Sequence, residues 1–379
     1  MELGIILQIL AVMLVARCSS NPASSTSQCN APAGGNSAVQ YSPPGDVLND
    51  IPATPAGYRT LVFYNNHPTQ TVWVGGFARQ WNVAKTPLTG EITGFELGPK
   101  SRKIIVTEPF QSGRFWPRLG CEYTSYLASE TPYPGQPQKF KCAIGDCGSA
   151  VTGYGVQCNG GTGQPSNLFE PTLPSDSSND FYDLSNVDGF VAGMNVQPLP
   201  GRFQAATGSV STQYNCGTAQ CSNFNFSQCP PELYSNSSGY EICMSIWSAV
   251  NDQAQVAQYA VLQSIYNTQS LSKDLNTFYL VGCSCGPASA GGCTDSTSYY
   301  CCSPYNTPIS GQGGICHVED WPTPSASWCT SAGVSSANCT YANVFKAQCS
   351  DAYSWQFNDS ESTYQCNQAD YLVTFFPEC

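Results

Sequence analysis

Residues 180–190 have the sequence DFYDLSNVDGF, in which aspartates alternate with aromatic and small residues. Together with Glu170, the residues Asp180, Asp183 and Asp188 place four carboxylates within nineteen positions. Carboxylates accept hydrogen bonds from sugar hydroxyls, and aromatic faces pack on the apolar faces of sugar rings. A pair of carboxyls in different environments is also what glycoside hydrolysis requires. The alternative is structural, because aspartates of this kind also cap turns by accepting backbone N–H groups.

Four other blocks of sequence accompany this one. They are 113–121 (GRFWPRLGC), 141–147 (KCAIGDC), 349–355 (CSDAYSW) and 373–377 (VTFFP). In this order, and with 180–190 between them, they resemble the motifs of the thaumatin-like family from about Tyr58 to Cys379. The resemblance implies a mainly β fold: a flattened β-sandwich, a loop-rich second domain that contains helices, and a small disulfide-rich lobe.

The resemblance also implies an acidic cleft formed by one arginine, one glutamate and three aspartates. The matching positions are Arg114, Glu170, Asp183, Asp188 and Asp351. Asp180 lies in the same motif but is not placed in the set.

Members of the family bind β-1,3-glucans, and some are weak endo-β-1,3-glucanases or antifungal proteins. If this chain hydrolyses glucan, the expected general acid is Glu170, and Asp188 is the expected nucleophile or water-activating base. Arg114 would orient a carboxylate and lower its pKa, while Asp183 and Asp351 would bind sugar hydroxyls. The spacing in sequence does not decide between retaining and inverting chemistry.

Disulfide pairing is expected to follow the family. The implied bonds are Cys121–Cys142, Cys147–Cys158, Cys216–Cys366, Cys221–Cys349, Cys229–Cys243 and Cys302–Cys316. A local bond is expected between Cys329 and Cys339. The four remaining cysteines in this region could make two bonds, with their pairing left open: Cys283, Cys285, Cys293 and Cys301.

The family's terminal disulfide has no counterpart here, because Pro68 and Phe376 occupy the two places. The extra cysteines nearest the two ends are Cys29 and Cys379, and they are expected to form a replacement clasp. Closing so long a loop would contribute up to about 5 kcal/mol in the chain-entropy model.

Cysteine usage and the first residues predict a secreted, extracellular protein. The chain has 21 cysteines, and residues 1–20 contain a short apolar run followed by small residues, as in a signal peptide. In a reducing cytosol the cysteines near 283–302 would suggest a metal site, but a secretory context favours disulfides. No metal or other cofactor is expected.

The charge of the chain limits the classes of molecule that it is expected to bind. The net charge is −12 and charged residues make up 11% of the chain, so binding to nucleic acid is not expected. No stretch is long and apolar enough to form a stable membrane span. A neutral polysaccharide or a cationic partner is compatible with this charge, and a monomer is expected. The alternatives are a binding protein that cleaves nothing and a structural module that recognises a protein.

The chain is expected to have a Ser/Pro/Asn-rich arm over 21–57 and one domain over 58–379. Residues 60–64 and 71–74 are predicted to pair as a β-hairpin around a turn that contains His67. Further strands are predicted near 94–97, 103–107 and 372–376. Residues 242–271 lack Gly and Pro and are predicted to form one amphipathic helix within an insertion at about 247–300.

Four Asn-X-Ser/Thr sequons are candidate glycosylation sites. They begin at Asn225, Asn236, Asn338 and Asn358. The second histidine, His317, precedes two acidic residues, but no nucleophile elbow or zinc motif accompanies it. Carboxylate chemistry is therefore favoured over serine or zinc hydrolysis.

Overall fold

The structure is a computed structural model that describes most of the chain from residue 43 onward. The described residues are 43–78, 93–132, 135, 137–148, 155–158, 165–176, 178–236, 238–267, 324, 326–331, 339–354 and 359–379. The predicted signal peptide and residues 21–42 of the predicted arm lie outside them.

Strands dominate the described residues, which confirms the mainly β class. In chain order they are β1 (Arg59–Asn65), β2 (Val72–Phe77), β3 (Gly94–Leu97), β4 (Ser101–Thr107), β5 (Arg114–Arg118), β6 (Glu122–Thr124), β7 (Lys139–Lys141), β8 (Leu168–Thr172), β9 (Asn179–Ser185), β10 (Gly189–Phe190), β11 (Met194–Pro198), β12 (Ala219–Cys221), β13 (Tyr234–Ser235), β14 (Ile242–Met244), β15 (Tyr364–Asn367) and β16 (Tyr371–Phe375). The helices are α1 (Ile246–Asn251), α2 (Gln253–Gln258), α3 (Ala260–Asn267), α4 (Ala326–Ser331), α5 (Tyr341–Lys346) and α6 (Asp359–Ser362), with 3-10 turns at Gly45–Val47 and Phe226–Gln228.

Two large sheets form the sandwich. One has the strand order β12-β11-β16-β1-β4, and the other has the order β15-β9-β8-β5-β2-β3. Aromatic rings join them: Phe63 of β1 lies 5.0 Å from Phe115 of β5, and Tyr371 of β16 lies 4.9 Å from Tyr182 of β9. All four side chains are fully buried, and burying a large apolar side chain contributes about 1.5–3 kcal/mol.

The predicted hairpin between 60–64 and 71–74 is wrong, although both segments are strands. β1 pairs with β4 and β16, whereas β2 pairs with β3 and β5 in the other sheet. The connection crosses between the sheets, and Asn65 holds it there. The Asn65 side-chain amide donates to the carbonyl of Gln70 (2.7 Å) and to that of Leu97 (3.0 Å).

The same connection is held against the end of the last strand. His67 Nδ1 accepts the backbone N–H of Gln70 (2.8 Å), so this histidine is a turn residue. Its ring packs edge-on against Phe376 with 5.1 Å between centroids, and Asn66 Nδ2 donates to the carbonyl of Phe376 (3.3 Å). These contacts lie next to Pro68, where the family's terminal disulfide is absent.

The single helix predicted over 242–271 is wrong in two respects. Its first residues form β14, and the remainder up to residue 267 is divided into α1, α2 and α3 by extended residues at Asp252 and Tyr259. Asp252 ends one helix and caps the next, because its Oδ1 accepts the N–H of Ala254 (2.9 Å). The core packing expected of an amphipathic helix is confirmed for Leu262, which is fully buried in the main core.

Six of the expected disulfides are present among the described residues. They are Cys121–Cys142, Cys147–Cys158, Cys216–Cys366, Cys221–Cys349, Cys229–Cys243 and Cys329–Cys339. Cys379 is also disulfide-bonded. The remaining cysteines with expected bonds lie outside the described residues: Cys29, Cys283, Cys285, Cys293, Cys301, Cys302 and Cys316.

The described part of the predicted arm, 43–57, lies on the outer face of the five-stranded sheet. Val47 is buried there against Val62 of β1. Arg202 Nη1 donates to the carbonyl of Pro52 (2.7 Å), so the arm is fixed by polar contacts as well as by apolar packing.

Candidate functional site

Arg114, Glu170 and Asp183 form one row across three neighbouring strands. Glu170 of β8 lies directly opposite Asp183 of β9, and the pairing of Phe115 with Phe169 sets Arg114 of β5 opposite Glu170. Because successive side chains alternate between the faces of a sheet and both phenylalanines point into the sandwich, the three polar side chains share the outer face.

Strand β9 separates structural residues from candidate site residues by this same alternation. Asp180 and Tyr182 are fully buried, whereas Phe181 is 43% exposed and Asp183 is partly exposed. The Asp180 carboxylate accepts hydrogen bonds from the N–H of Ala369 (2.7 Å) and from Tyr371 Oη (3.2 Å). Asp180 therefore joins β9 to the start of β16 in the other sheet and does not belong to the row.

Asp188 reaches the row through a tight turn after β9. The N–H of Gly189 donates to the carbonyl of Asn186 (3.0 Å), and Gly189 has a φ of +107°, which favours glycine. A Cβ at this position would lie 2.8 Å from the carbonyl oxygen of Cys243. The glycine thus lets the Asp188 turn pack directly on β14.

Arg114 and Glu170 form an ion pair. Arg114 Nε lies 3.0 Å from Glu170 Oε1, with side-chain exposures of 49% and 28%. Burial raises the pKa of Glu170, while the Arg114 charge and a hydrogen bond from Ser185 oppose that rise. We call Glu170 and Asp188 the acidic pair.

The negative charge of Glu170 affects the pKa of Asp188. Burial, followed by repulsion from Glu170, raises the pKa of Asp188 to about 6, and Arg114 opposes the rise. Two carboxyls that interact in this way lose their protons in steps that belong to the pair and not to either residue alone. The last proton of the pair therefore leaves near pH 6, where Asp188 titrates.

Asp351 joins a different group. It accepts the N–H of Gln220 (3.3 Å) and hydrogen bonds from Tyr364 and Ser350, and burial raises its pKa. The Tyr364 ring packs 5.5 Å from that of Tyr182, on the core side of β9. The contacts of Asp351 among the described residues do not include the acidic pair.

One residue of the site, Ser185, was missed from the sequence, whereas Phe181 is one of the two aromatic residues that the acidic motif itself carries. Ser185, at the end of β9, donates to Glu170, and Phe181 presents its ring on the outer face beside the row. Strand alternation through Asp183 would have placed both on the outer face, had the strand boundaries been known. Tyr182, by contrast, is in the core.

The described residues contain no group of three or more His, Cys, Asp or Glu side chains arranged to hold a metal ion. Among the same residues, no helix combines the length and the hydropathy that crossing a bilayer requires.

A sequence profile of the Thaumatin family matches residues 66–377. The chain belongs to the thaumatin family. It is 28% identical over 313 residues to Pathogenesis-related protein 5 of Arabidopsis thaliana, covering 83% of this chain and 88% of the relative. It is 30% identical over 322 residues to a protein of Prunus avium named Glucan endo-1,3-beta-glucosidase, covering 84% and 90%. Thaumatin-like protein 1a of Malus domestica is also 30% identical, over 328 residues, covering 84% and 89%. In this thaumatin-family chain, the row and the acidic pair carry four of the five positions expected from the family motifs.

Proposed function

We propose that this thaumatin-family protein binds β-1,3-glucan across the outer face of the six-stranded sheet and hydrolyses it slowly. The observation that carries the proposal is the acidic pair, two coupled carboxyls beside the Arg114 guanidinium on an accessible sheet face. The relative named as a glucan endo-1,3-beta-glucosidase supports the choice of glucan among polysaccharides.

The proposed chemistry needs one protonated and one ionised carboxyl. Glu170 donates a proton to the glycosidic oxygen as the bond from that oxygen to the anomeric carbon breaks. Asp188 acts on the anomeric carbon, either directly or by taking a proton from the attacking water. Net reaction adds one water across the glycosidic bond. Arg114 orients Glu170, and Asp183 accepts hydrogen bonds from sugar hydroxyls.

Phe181 is the proposed aromatic platform for a sugar ring beside the row. Its exposed ring stands on the same face as Asp183, two positions away along β9. We expect Phe181→Ala to weaken binding of laminarin about fivefold to tenfold, equivalent to about 1 kcal/mol, in isothermal titration calorimetry.

The matched control is Tyr123→Ala. Tyr123 is another exposed aromatic, at 51%, but it lies on the separate β6–β7 hairpin. Equal losses of binding in both variants, or no loss in Phe181→Ala, would contradict a glucan site centred on the row.

Hydrolysis should depend on pH through the acidic pair. Because the two carboxyls titrate together, the last proton of the pair leaves in the range where Asp188 titrates, near pH 6, whichever carboxyl carries it. We therefore expect kcat/KM on laminarin to fall about tenfold per pH unit above about pH 6. Circular dichroism at each pH serves as the control for folding. A rate that stays constant or rises between pH 6 and 8 would contradict proton donation by the pair.

The protein is proposed to work outside the cell, as a monomer, in defence against organisms with glucan walls. Six disulfides in the described residues fit an oxidising compartment. The sequon asparagines Asn225 and Asn236 are exposed and are proposed glycan carriers. The other two candidates, Asn338 and Asn358, lie outside the described residues, as does His317.

One contact favours a second candidate, a glucan-binding protein without hydrolysis. The Arg114–Glu170 ion pair stabilises the ionised form of the proposed proton donor. Laminarin binding without release of reducing sugar would establish this candidate. If the protein neither binds laminarin nor releases reducing sugar, the remaining candidate is a module that recognises a cationic protein partner through its acidic surface.

A further inference from the structure

Ser185 ends β9 on the same face as the row. It lies opposite Leu168 in the β8–β9 pairing, two positions from the Glu170–Asp183 pair, and it is 2% exposed. Its backbone is fixed from the other side as well, because it forms a bridge with Tyr353.

The hydroxyl of Ser185 has two partners. The backbone N–H of Val187 donates to Ser185 Oγ (3.4 Å). In the β8–β9 register Ser185 lies diagonally across from Glu170 on the same face, and its hydroxyl donates to the Glu170 carboxylate. The Ser185 oxygen accepts the N–H of Val187, so the single hydrogen of the hydroxyl is available to donate to Glu170. Glu170 is therefore held by Arg114 on one side and by Ser185 on the other.

We propose that Ser185 is the positioning residue of the acidic pair, which fixes the Glu170 carboxyl for proton transfer at the sugar. Its kinetic consequence rests on the proposed function, whereas the hydrogen bond itself does not. The other charged groups that face Glu170 are Arg114 from β5, Asp183 from β9 and Asp188 from the turn after it. Ser185 itself is uncharged, so replacing it leaves the charges around Glu170 unaltered.

The test is titration of the Glu170 carboxyl by NMR with carbon-13-labelled glutamate, its signal assigned by its loss in Glu170→Gln. A donor to a carboxylate favours the charged form, so Ser185→Ala should raise the pKa of Glu170 by about one pH unit. Ser185→Thr restores a hydroxyl and should return the pKa toward that of the wild type. In an active protein, Ser185→Ala should also lower kcat about tenfold with little change in KM.

The matched control is Ser354→Ala. Ser354 is also buried, at 7% exposure, and its hydroxyl has no hydrogen-bond partner among the described residues. An unchanged Glu170 pKa in folded Ser185→Ala, or an equal change in Ser354→Ala, would overturn the proposal. If Ser185→Ala does not fold, Ser185→Cys, whose thiol is slightly larger and a weaker donor than the hydroxyl, gives the same comparison. Because the titration needs no activity, it separates failure of this proposal from failure of the proposed function.

Discussion

Glu170→Gln and Asp188→Asn should each reduce the release of reducing sugar from laminarin by about 10²–10⁴-fold. Each substitution keeps the size of the side chain but removes a carboxyl of the acidic pair, which leaves either no proton donor or no base. Binding of laminarin should change by less than about threefold, because sugar contacts by Phe181 and Asp183 persist. Both quantities are measured on oxidatively folded protein, the first by a reducing-sugar assay and the second by calorimetry.

The matched control is Glu96→Gln, which removes an exposed carboxylate from β3 of the same sheet. Its activity should equal that of the wild type. Full activity in either variant of the acidic pair would refute carboxylate catalysis at this site. A wild type that binds but releases no sugar would identify the row as a recognition site instead.

Removing two nested disulfides should greatly lower the free energy of unfolding. Cys216–Cys366 encloses Cys221–Cys349 in the sequence, with separations of 150 and 128 residues. While one bond is intact, the other closes a ring of only roughly 20 residues, so losing one bond by Cys→Ala replacement should cost about 3 kcal/mol. Once both are lost, loops of well over 100 residues open, and the total should reach about 8 kcal/mol.

Urea unfolding without reductant measures both steps. Since the whole stability of a domain is about 5–15 kcal/mol, the variant lacking both bonds should be close to unfolded at 25 °C. The test is non-additivity: the double loss should exceed the sum of the single losses by about 1–2 kcal/mol. Strictly additive costs would mean that strain or packing, and not loop closure, governs the contribution of these bonds.

Much of the fold followed from local chemistry. The segments near 94–97, 103–107 and 372–376 contain strands because β-branched, aromatic and other apolar residues are concentrated there. Strand pairing was different. The apolar runs around the His67 turn suited a hairpin, yet each found its partners in a different sheet, because burial of β1 between β16 and β4 outweighs a local turn.

Helix length was also misjudged from composition. Residues 246–267 lack Gly and Pro, so nothing in the periodicity marks a break. Asp252 makes one nonetheless, because its side chain satisfies the N–H of Ala254 and begins a new helix. A capping residue inside an apolar pattern competes with helix continuation, and tertiary packing decides which prevails.

The sequence alone was enough for the thaumatin family, the mainly β class and six disulfide pairings, and it predicts which carboxylates form the candidate site. These conclusions depend on which residue types occupy fixed positions in the motifs. That does not change with the three-dimensional structure. The folded arrangement was needed to show that Phe181 faces outward, that Ser185 donates to Glu170 and that Asp351 binds Gln220 and Tyr364 instead of the acidic pair. Those outcomes depend on strand register and on distances between residues far apart in the chain. A shift of one residue would exchange the faces of β9, and no local pattern fixes the separation of two charges across a sheet.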